Sequence, residues 1–126
     1  MQTRRLEGRR VLIVDDDPDI RSSMELAFRG EGAATSTAGD GALAMRALQT
    51  EAPELVILDM MLPQRSGLIV LETIQKGENP PPVIMVTANQ GRRHMAYAES
   101  LGVSAYLVKP VPLQRLVETA VRLLGE

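Results

Sequence analysis

The chain has 126 residues, a formal net charge of -2, no cysteine, a single histidine (His94), one Phe, two Tyr and no Trp. This is the length of one domain that buries roughly two-thirds of its unfolded surface, and the composition excludes a disulfide framework, a thiolate or histidine metal cluster and an aromatic platform for stacking bases. No apolar run approaches the ~18 residues of a membrane span and the opening stretch lacks the apolar core of a signal peptide, so a cytoplasmic chain with no membrane association and no direct nucleic-acid binding is expected.

Residues 1 to 10 hold Arg4, Arg5, Arg9 and Arg10 against Glu7 alone. Residues 1 to 8 are therefore expected to form a basic, solvated tail ahead of one domain over 9 to 126. Val11-Leu12-Ile13-Val14 reads as a buried strand stopped by Asp15-Asp16-Asp17-Pro18, where Asp17 suits a helix N-cap and Pro18 the first helical position. Ile20, Met24, Ala27 and Phe28 recur at helical spacing up to Gly30 and Gly32. Ala34 to Ala38 is a weak, small-residue strand suited to a sheet edge. Gly39-Asp40-Gly41 turns the chain into a second helix over Ala42 to Leu48, with Leu43, Ala44, Ala47 and Leu48 predicted inward.

The run from Leu55 to Leu58 suits a strand buried on both faces, and Asp59 follows it directly. Pro63 and Gly67 impose a loop before the third helix, whose inner residues are Leu68, Leu71 and Ile74. Gly77-Glu78-Asn79 and the prolines 80 to 82 end that helix. Val83 to Val86 is the next buried strand and ends at Thr87. A poorly amphipathic helix over Gly91 to Leu101, with Met95, Ala98 and Leu101 inward, is closed by Gly102. Ala105 to Val108 is the fifth strand, ending in Lys109-Pro110, and Leu113, Leu116, Val117, Ala120, Val121 and Leu124 form the inner stripe of a last helix.

Five strands alternating with five helices predict an α/β fold, a doubly wound five-stranded parallel sheet covered on both faces. Right-handed crossovers bring the carboxyl ends of all strands to one rim. Asp15, Asp16, Asp59, Thr87 and Lys109 then meet there, where open sheets of this kind hold their ligands. Taken singly, each has a plainer reading: an acidic run can be a solvated cap, Thr87 a helix cap, Lys109 a cation pointing to water. Their coincidence on one edge carries the functional reading. Three carboxylates together repel and call for a cation, and a set of hard oxygens suits Mg2+. Lys109 and Thr87 add a positive charge and a hydroxyl fit to hold phosphoryl oxygens, and a carboxylate in such a site can serve as nucleophile.

At these residues the chain resembles the receiver domain of bacterial two-component response regulators. Val11-Leu12-Ile13-Val14-Asp15-Asp16-Asp17 looks like its acidic motif, and Leu58-Asp59-Met60-Met61-Leu62-Pro63 with Gly67 like its phosphoacceptor motif. Val86-Thr87-Ala88 looks like its hydroxyl motif, and Tyr106-Leu107-Val108-Lys109-Pro110 like its switch and lysine motif. The resemblance implies strand order 2-1-3-4-5 in a flavodoxin-like (βα)5 fold, with Asp59 as phosphoacceptor. It implies Mg2+ held by Asp15, Asp16, Asp59 and the carbonyl of Met61, with Thr87 and Lys109 on the phosphoryl oxygens. Thr87 and Tyr106 would switch the surface of the fourth helix, fifth strand and fifth helix. The implied partners are a sensor histidine kinase or phosphotransfer protein and a downstream protein. The implied state is a monomer or a weak, phosphorylation-dependent dimer that catalyses only its own phosphorylation and slow dephosphorylation.

Two other classes compete with this reading. A haloacid-dehalogenase-type phosphatase could use Asp15 and Asp17 as an Asp-x-Asp pair, but only Glu118 and Glu126 follow Lys109 and Asp59 would have no role. A pseudo-receiver that only binds partners has no need of the complete polar set. Met61 and Asn89 offer no general base beside Asp59, which predicts slow hydrolysis of an acyl phosphate. Arg92, Arg93, Arg115 and Arg122 outnumber Glu99 and Glu118 on the output face, which favours a partner with an acidic patch.

Overall fold

A computed structural model of the chain describes residues 4–64, 66–88 and 91–125. Its elements alternate without exception: β1 (Arg10–Val14), α1 (Pro18–Gly30), β2 (Ala34–Ala38), α2 (Gly41–Glu51), β3 (Leu55–Leu58), α3 (Gly67–Lys76), β4 (Val83–Thr87), α4 (Arg92–Ser100), β5 (Ala105–Val108) and α5 (Leu113–Leu123). The strands form one parallel sheet in the order β2-β1-β3-β4-β5.

Side chains alternate across the sheet, so each central strand serves two cores. Val11, Ile13, Leu55, Ile57, Ile84 and Val86 pack with Met24 and Phe28 of α1 and Leu116, Val117 and Ala120 of α5. Leu12, Val14, Val56, Leu58, Val83 and Met85 pack with Ala44 of α2, Val70, Leu71 and Ile74 of α3 and Ala98 of α4. Covering on both faces is why β1, β3 and β4 are nearly unbroken apolar runs. β2, with its Thr and Ser residues, sits at the edge beside β1, where one side of the ladder faces away from the sheet.

Helix starts follow local chemistry. Asp17 caps α1, its carboxylate accepting from the amides of Asp19 at 2.9 Å and Ile20 at 3.2 Å, with Pro18 leading the helix. Asp40 caps α2 through Leu43 N–H at 2.8 Å, and Ser66 caps α3 through Ile69 N–H at 3.3 Å. Gly102 closes the turn after α4 with φ +89, a conformation suited to glycine.

The structure corrects three expectations. Leu43 is exposed (45%), because the inward face of α2 runs through Gly41, Ala44, Met45 and Leu48, with Ala47 beside it, and leaves residue 43 outside. Leu113 lies at the first turn of α5 and remains 38% exposed, while Leu123 joins Val121 and Leu124 against the core. The third correction concerns the basic tail. Leu6 has no exposed surface and belongs to the α1/α5 core. Its N–H donates to Glu31 O at 2.8 Å, and that of Gly8 to Gly32 O at 3.0 Å. Arg5 pairs with Glu31 at 3.2 Å; Arg9 pairs with Glu54 at 3.1 Å and donates to Leu124 O at 3.0 Å. The arginines are solvated only in part because each finds a local acceptor, and Leu6 among them adds an apolar contact that ties the segment to the core. Gly32 (φ +92) lets it approach: a Cβ there would lie 2.9 Å from Glu7 Cα.

Candidate functional site

Ladder hydrogen bonding continues one residue past the strands, and this aligns the polar residues of the rim. Asp15 N–H donates to Ala38 O at 3.1 Å, Asp59 N–H to Val14 O at 3.0 Å, and Lys109 N–H to Thr87 O at 2.9 Å. With backbones set in register, the side chains converge. Lys109 Nζ donates to Asp15 Oδ2 at 2.8 Å and to Asp59 Oδ2 at 2.9 Å. The other oxygens are also engaged: Asp15 Oδ1 accepts from Asp17 N–H at 2.9 Å and Asp59 Oδ1 from Met61 N–H at 3.1 Å.

Asp15 and Asp59 are almost fully buried, and the Lys109 side chain is 19% exposed. Burial pushes the Lys109 ammonium down, but its hydrogen bonds to Asp15 and Asp59 and their negative charge outweigh that and hold it above the ordinary lysine value. Carboxylate oxygens of Asp15, Asp16 and Asp59 lie within 4.8 Å of one another, and Asp16 is the exposed member. Three carboxylates facing one ammonium leave negative charge in excess. An all-oxygen donor set with an exposed side fits a hard divalent cation that keeps water or an incoming oxygen among its ligands.

Gly67 explains how α3 can begin so close to Asp59. A Cβ there would collide with the Asp59 carbonyl oxygen and stand 2.7 Å from Met60 Cα, while Gly67 N–H donates to Met60 O at 2.8 Å. The glycine foreseen as a loop residue is therefore the first residue of the helix, required for close backbone approach.

The remaining predicted residues lie around this cluster. Thr87 ends β4 on the face of Val83 and Met85; expected at an open rim, it has no exposed surface. Tyr106, paired in register with Met85, is half-buried on that same face against the α2/α3/α4 core, and burial raises its phenol pKa. Met61 turns its side chain outward, 63% exposed. Asn89 and Glu126 lie outside the described residues. The rival pair is used otherwise: Asp15 is 1% exposed with both oxygens bonded, and Asp17 is the α1 cap.

One contact at the rim had no sequence signal. Arg21, one turn into α1, donates from Nη1 to Asp15 O at 2.8 Å. A lone arginine on an amphipathic helix reads as a solvated charge, and only the fold turns it toward the acidic loop.

The Response regulator receiver domain family matches residues 11–121. The chain is 38% identical to a probable transcriptional regulatory protein, TcrX, of Mycobacterium tuberculosis, over 90% of this chain and 50% of that protein. It is also 38% identical to the Regulator of RpoS of Escherichia coli, over 92% of this chain and 35% of that one. It thus spans half or less of these relatives. Among solved structures, a receiver domain protein from Methanospirillum hungatei superposes with a TM-score of 0.88 at 28% identity, covering 92% of this chain and 93% of that one. Among the described residues no helix is long and apolar enough to cross a membrane. With its strand order, its rim and its motifs all in agreement, the chain belongs to the receiver domain family of two-component response regulators.

Proposed function

We propose that Asp59 accepts a phosphoryl group from a sensor histidine kinase, a phosphotransfer protein or a small phosphodonor, in a Mg2+-dependent reaction. The observation that carries this is the bridge from Lys109 Nζ to Asp15 at 2.8 Å and Asp59 at 2.9 Å, with Asp16 completing a triad of oxygens within 4.8 Å. Asp15, Asp16, Asp59 and the Met61 carbonyl would hold the metal. Mg2+ bound there supplies positive charge that offsets repulsion between the carboxylates and an incoming phosphate.

The chain's own groups do the rest. An Asp59 carboxylate oxygen attacks phosphorus and a P–O bond forms; with a phosphohistidine donor the P–N bond breaks and its electron pair stays on the imidazole nitrogen, and with acetyl phosphate the P–O bond breaks and acetate leaves. Once Asp59 carries the phosphoryl group as an acyl phosphate, Lys109, already fixed beside it, donates a hydrogen bond to a phosphoryl oxygen. Thr87 binds a second oxygen, and Tyr106, on the same sheet face, follows it inward; this shifts the population of conformations on α4, β5 and α5. The domain does this as a cytoplasmic signalling module that takes in residues 4 to 8 as well as 9 to 126, rather than as an enzyme with a separate substrate. Its output passes to a downstream protein with an acidic patch, from a monomer or a weak phosphorylation-dependent dimer. The exposed, apolar Met61 offers no base to water, so the acyl phosphate should be long-lived.

Incubation of wild type and Asp59→Asn with acetyl phosphate and Mg2+, followed by peptide mass spectrometry, tests this. One phosphoryl group on Asp59 in wild type and none in the variant is expected. Label retained in the variant, or found on Asp15, would overturn the assignment.

A further inference from the structure

Asp15 is fixed at every polar atom. Its N–H is held by Ala38 O, Oδ1 by Asp17 N–H, Oδ2 by Lys109, and its carbonyl oxygen by the guanidinium of Arg21 at 2.8 Å. The last contact differs in kind. The Asp15 carbonyl belongs to the peptide unit that also contains the Asp16 nitrogen and Cα, and that unit is planar. A bond that sets the direction of Asp15 O therefore sets the plane from which Asp16 departs. Asp16 is the exposed carboxylate of the triad, so it is the member that packing constrains least.

Arg21 is itself held in place. It is half-buried, and its Nη1 stands 3.0 Å from where a Cβ on Gly39 would lie, with Cζ at 3.7 Å. Residue 39 opens the turn between β2 and α2, so the guanidinium lies between that turn and the loop after β1. A larger residue at 39 would crowd Nη1, which would have to give by a few tenths of an ångström and so lengthen, without necessarily breaking, its 2.8 Å hydrogen bond.

We infer that Arg21, seated against Gly39, is a positioning residue for the cation site: by holding the Asp15 carbonyl it aims the Asp16 carboxylate at the ion. This rests on the phosphoryl-transfer reading for the identity of the site, though the loop geometry does not. Two accounts of Arg21 differ in sign. As a mere nearby positive charge it would oppose a divalent cation, and its removal would tighten Mg2+. As a positioning group its removal weakens Mg2+, and losses on the order of tenfold follow when partners outside the ligand set are removed.

The test is calorimetric titration with Mg2+ of wild type, Arg21→Ala, Arg21→Lys, Gly39→Ala and the Arg21→Ala/Gly39→Ala double variant. Amide exchange at Asp16 and Asp17 is measured in EDTA alongside. Expected are a dissociation constant about tenfold weaker in Arg21→Ala, partial retention in Arg21→Lys, and weaker binding in Gly39→Ala that disappears as a separate effect once Arg21 is absent. Faster exchange at Asp16 and Asp17 should appear in Arg21→Ala without metal. Unchanged or tighter Mg2+ binding in Arg21→Ala overturns the inference, as does a Gly39→Ala effect of equal size in both backgrounds. If wild type bound no Mg2+, the phosphoryl-transfer reading would fail. The metal-free exchange would then still decide, since unchanged rates at Asp16 and Asp17 refute the positioning role.

Discussion

Helices α1 and α4 flank the same sheet but are held in opposite ways. α1 has 13 residues, a side-chain cap from Asp17, a leading proline, and Met24 and Phe28 buried in the core. α4 has nine residues, no side-chain cap hydrogen bond and only Ala98 buried. What secures α4 lies toward its C-terminal end and is polar: Tyr97 OH donates to Glu72 at 2.8 Å, and Gln75 Nε2 of α3 donates to Leu101 O at 2.9 Å and Gly102 O at 3.1 Å. The acidic loop that must stay rigid hangs on the well-packed helix, while the surface expected to change is built on the weakly packed one. Local stability is drawn from buried apolar contact, so mobile segments come from the poorly packed end of the fold.

The sharpest way to break this contrast is to hollow out the strong side. Phe28→Ala removes a ring with no exposed surface and should cost about 3–5 kcal/mol in urea unfolding; a loss under ~1 kcal/mol would mean that the α1 core is not the main anchor. Next is Thr87→Ala. Because the hydroxyl is fully buried, truncation should lower stability by about 1 kcal/mol and uncouple phosphorylation from movement of Tyr106. Ring signals of Tyr106 by NMR, with and without beryllofluoride, would show it; a shift equal to wild type argues against Thr87 as the trigger.

Tyr97→Phe should leave the global unfolding midpoint where it is, since the ring is exposed, but speed amide exchange near Ala98 at the end of α4. Equal exchange in both proteins would mean that the bond to Glu72 does not hold the helix. The smallest expected effect is on the α1 side and depends on pH. A hydrogen bond from the Arg5 side chain lowers the Glu31 carboxyl pKa, and one from the Arg10 backbone N–H lowers that of Glu54. Stability from these contacts is therefore present above the ordinary glutamate value of about 4.3 and is lost as pH falls below it. Limited proteolysis before Val11 should accelerate below that pH while α1 stays protected. Cleavage independent of pH would show that Leu6, not the ion pairs, does the anchoring.

Leu55 to Leu58 followed by Asp59 was legible because a strand buried on both faces must be apolar at every position, which leaves the first charged residue at its tip. The same logic located Asp15 after β1, the apolar run of the edge strand β5 located Lys109, and the parallel orientation of the strands carried them to a common rim. Helix rotation was less legible: Leu43 fits an apolar stripe as well as Met45 does, and only the packing of α2 on the sheet, with Gly41 and Ala44 buried, selects between them. Thr87 looked like a rim residue because its place at a strand end is local, whereas its burial is set by the surrounding fold.

What the amino-acid order determined by itself was therefore the alternation of elements, the Asp17 cap of α1 and the polar residues at the ends of β1, β3, β4 and β5, all set by neighbours within a few positions. Tertiary structure alone decided that Lys109 Nζ bridges Asp15 and Asp59, that Leu6 enters the core, and that Arg21 closes on the Asp15 carbonyl beside Gly39. Each of these joins groups that local pattern does not relate, and a side chain's partner at such range is set by how packed elements face one another rather than by spacing along the chain.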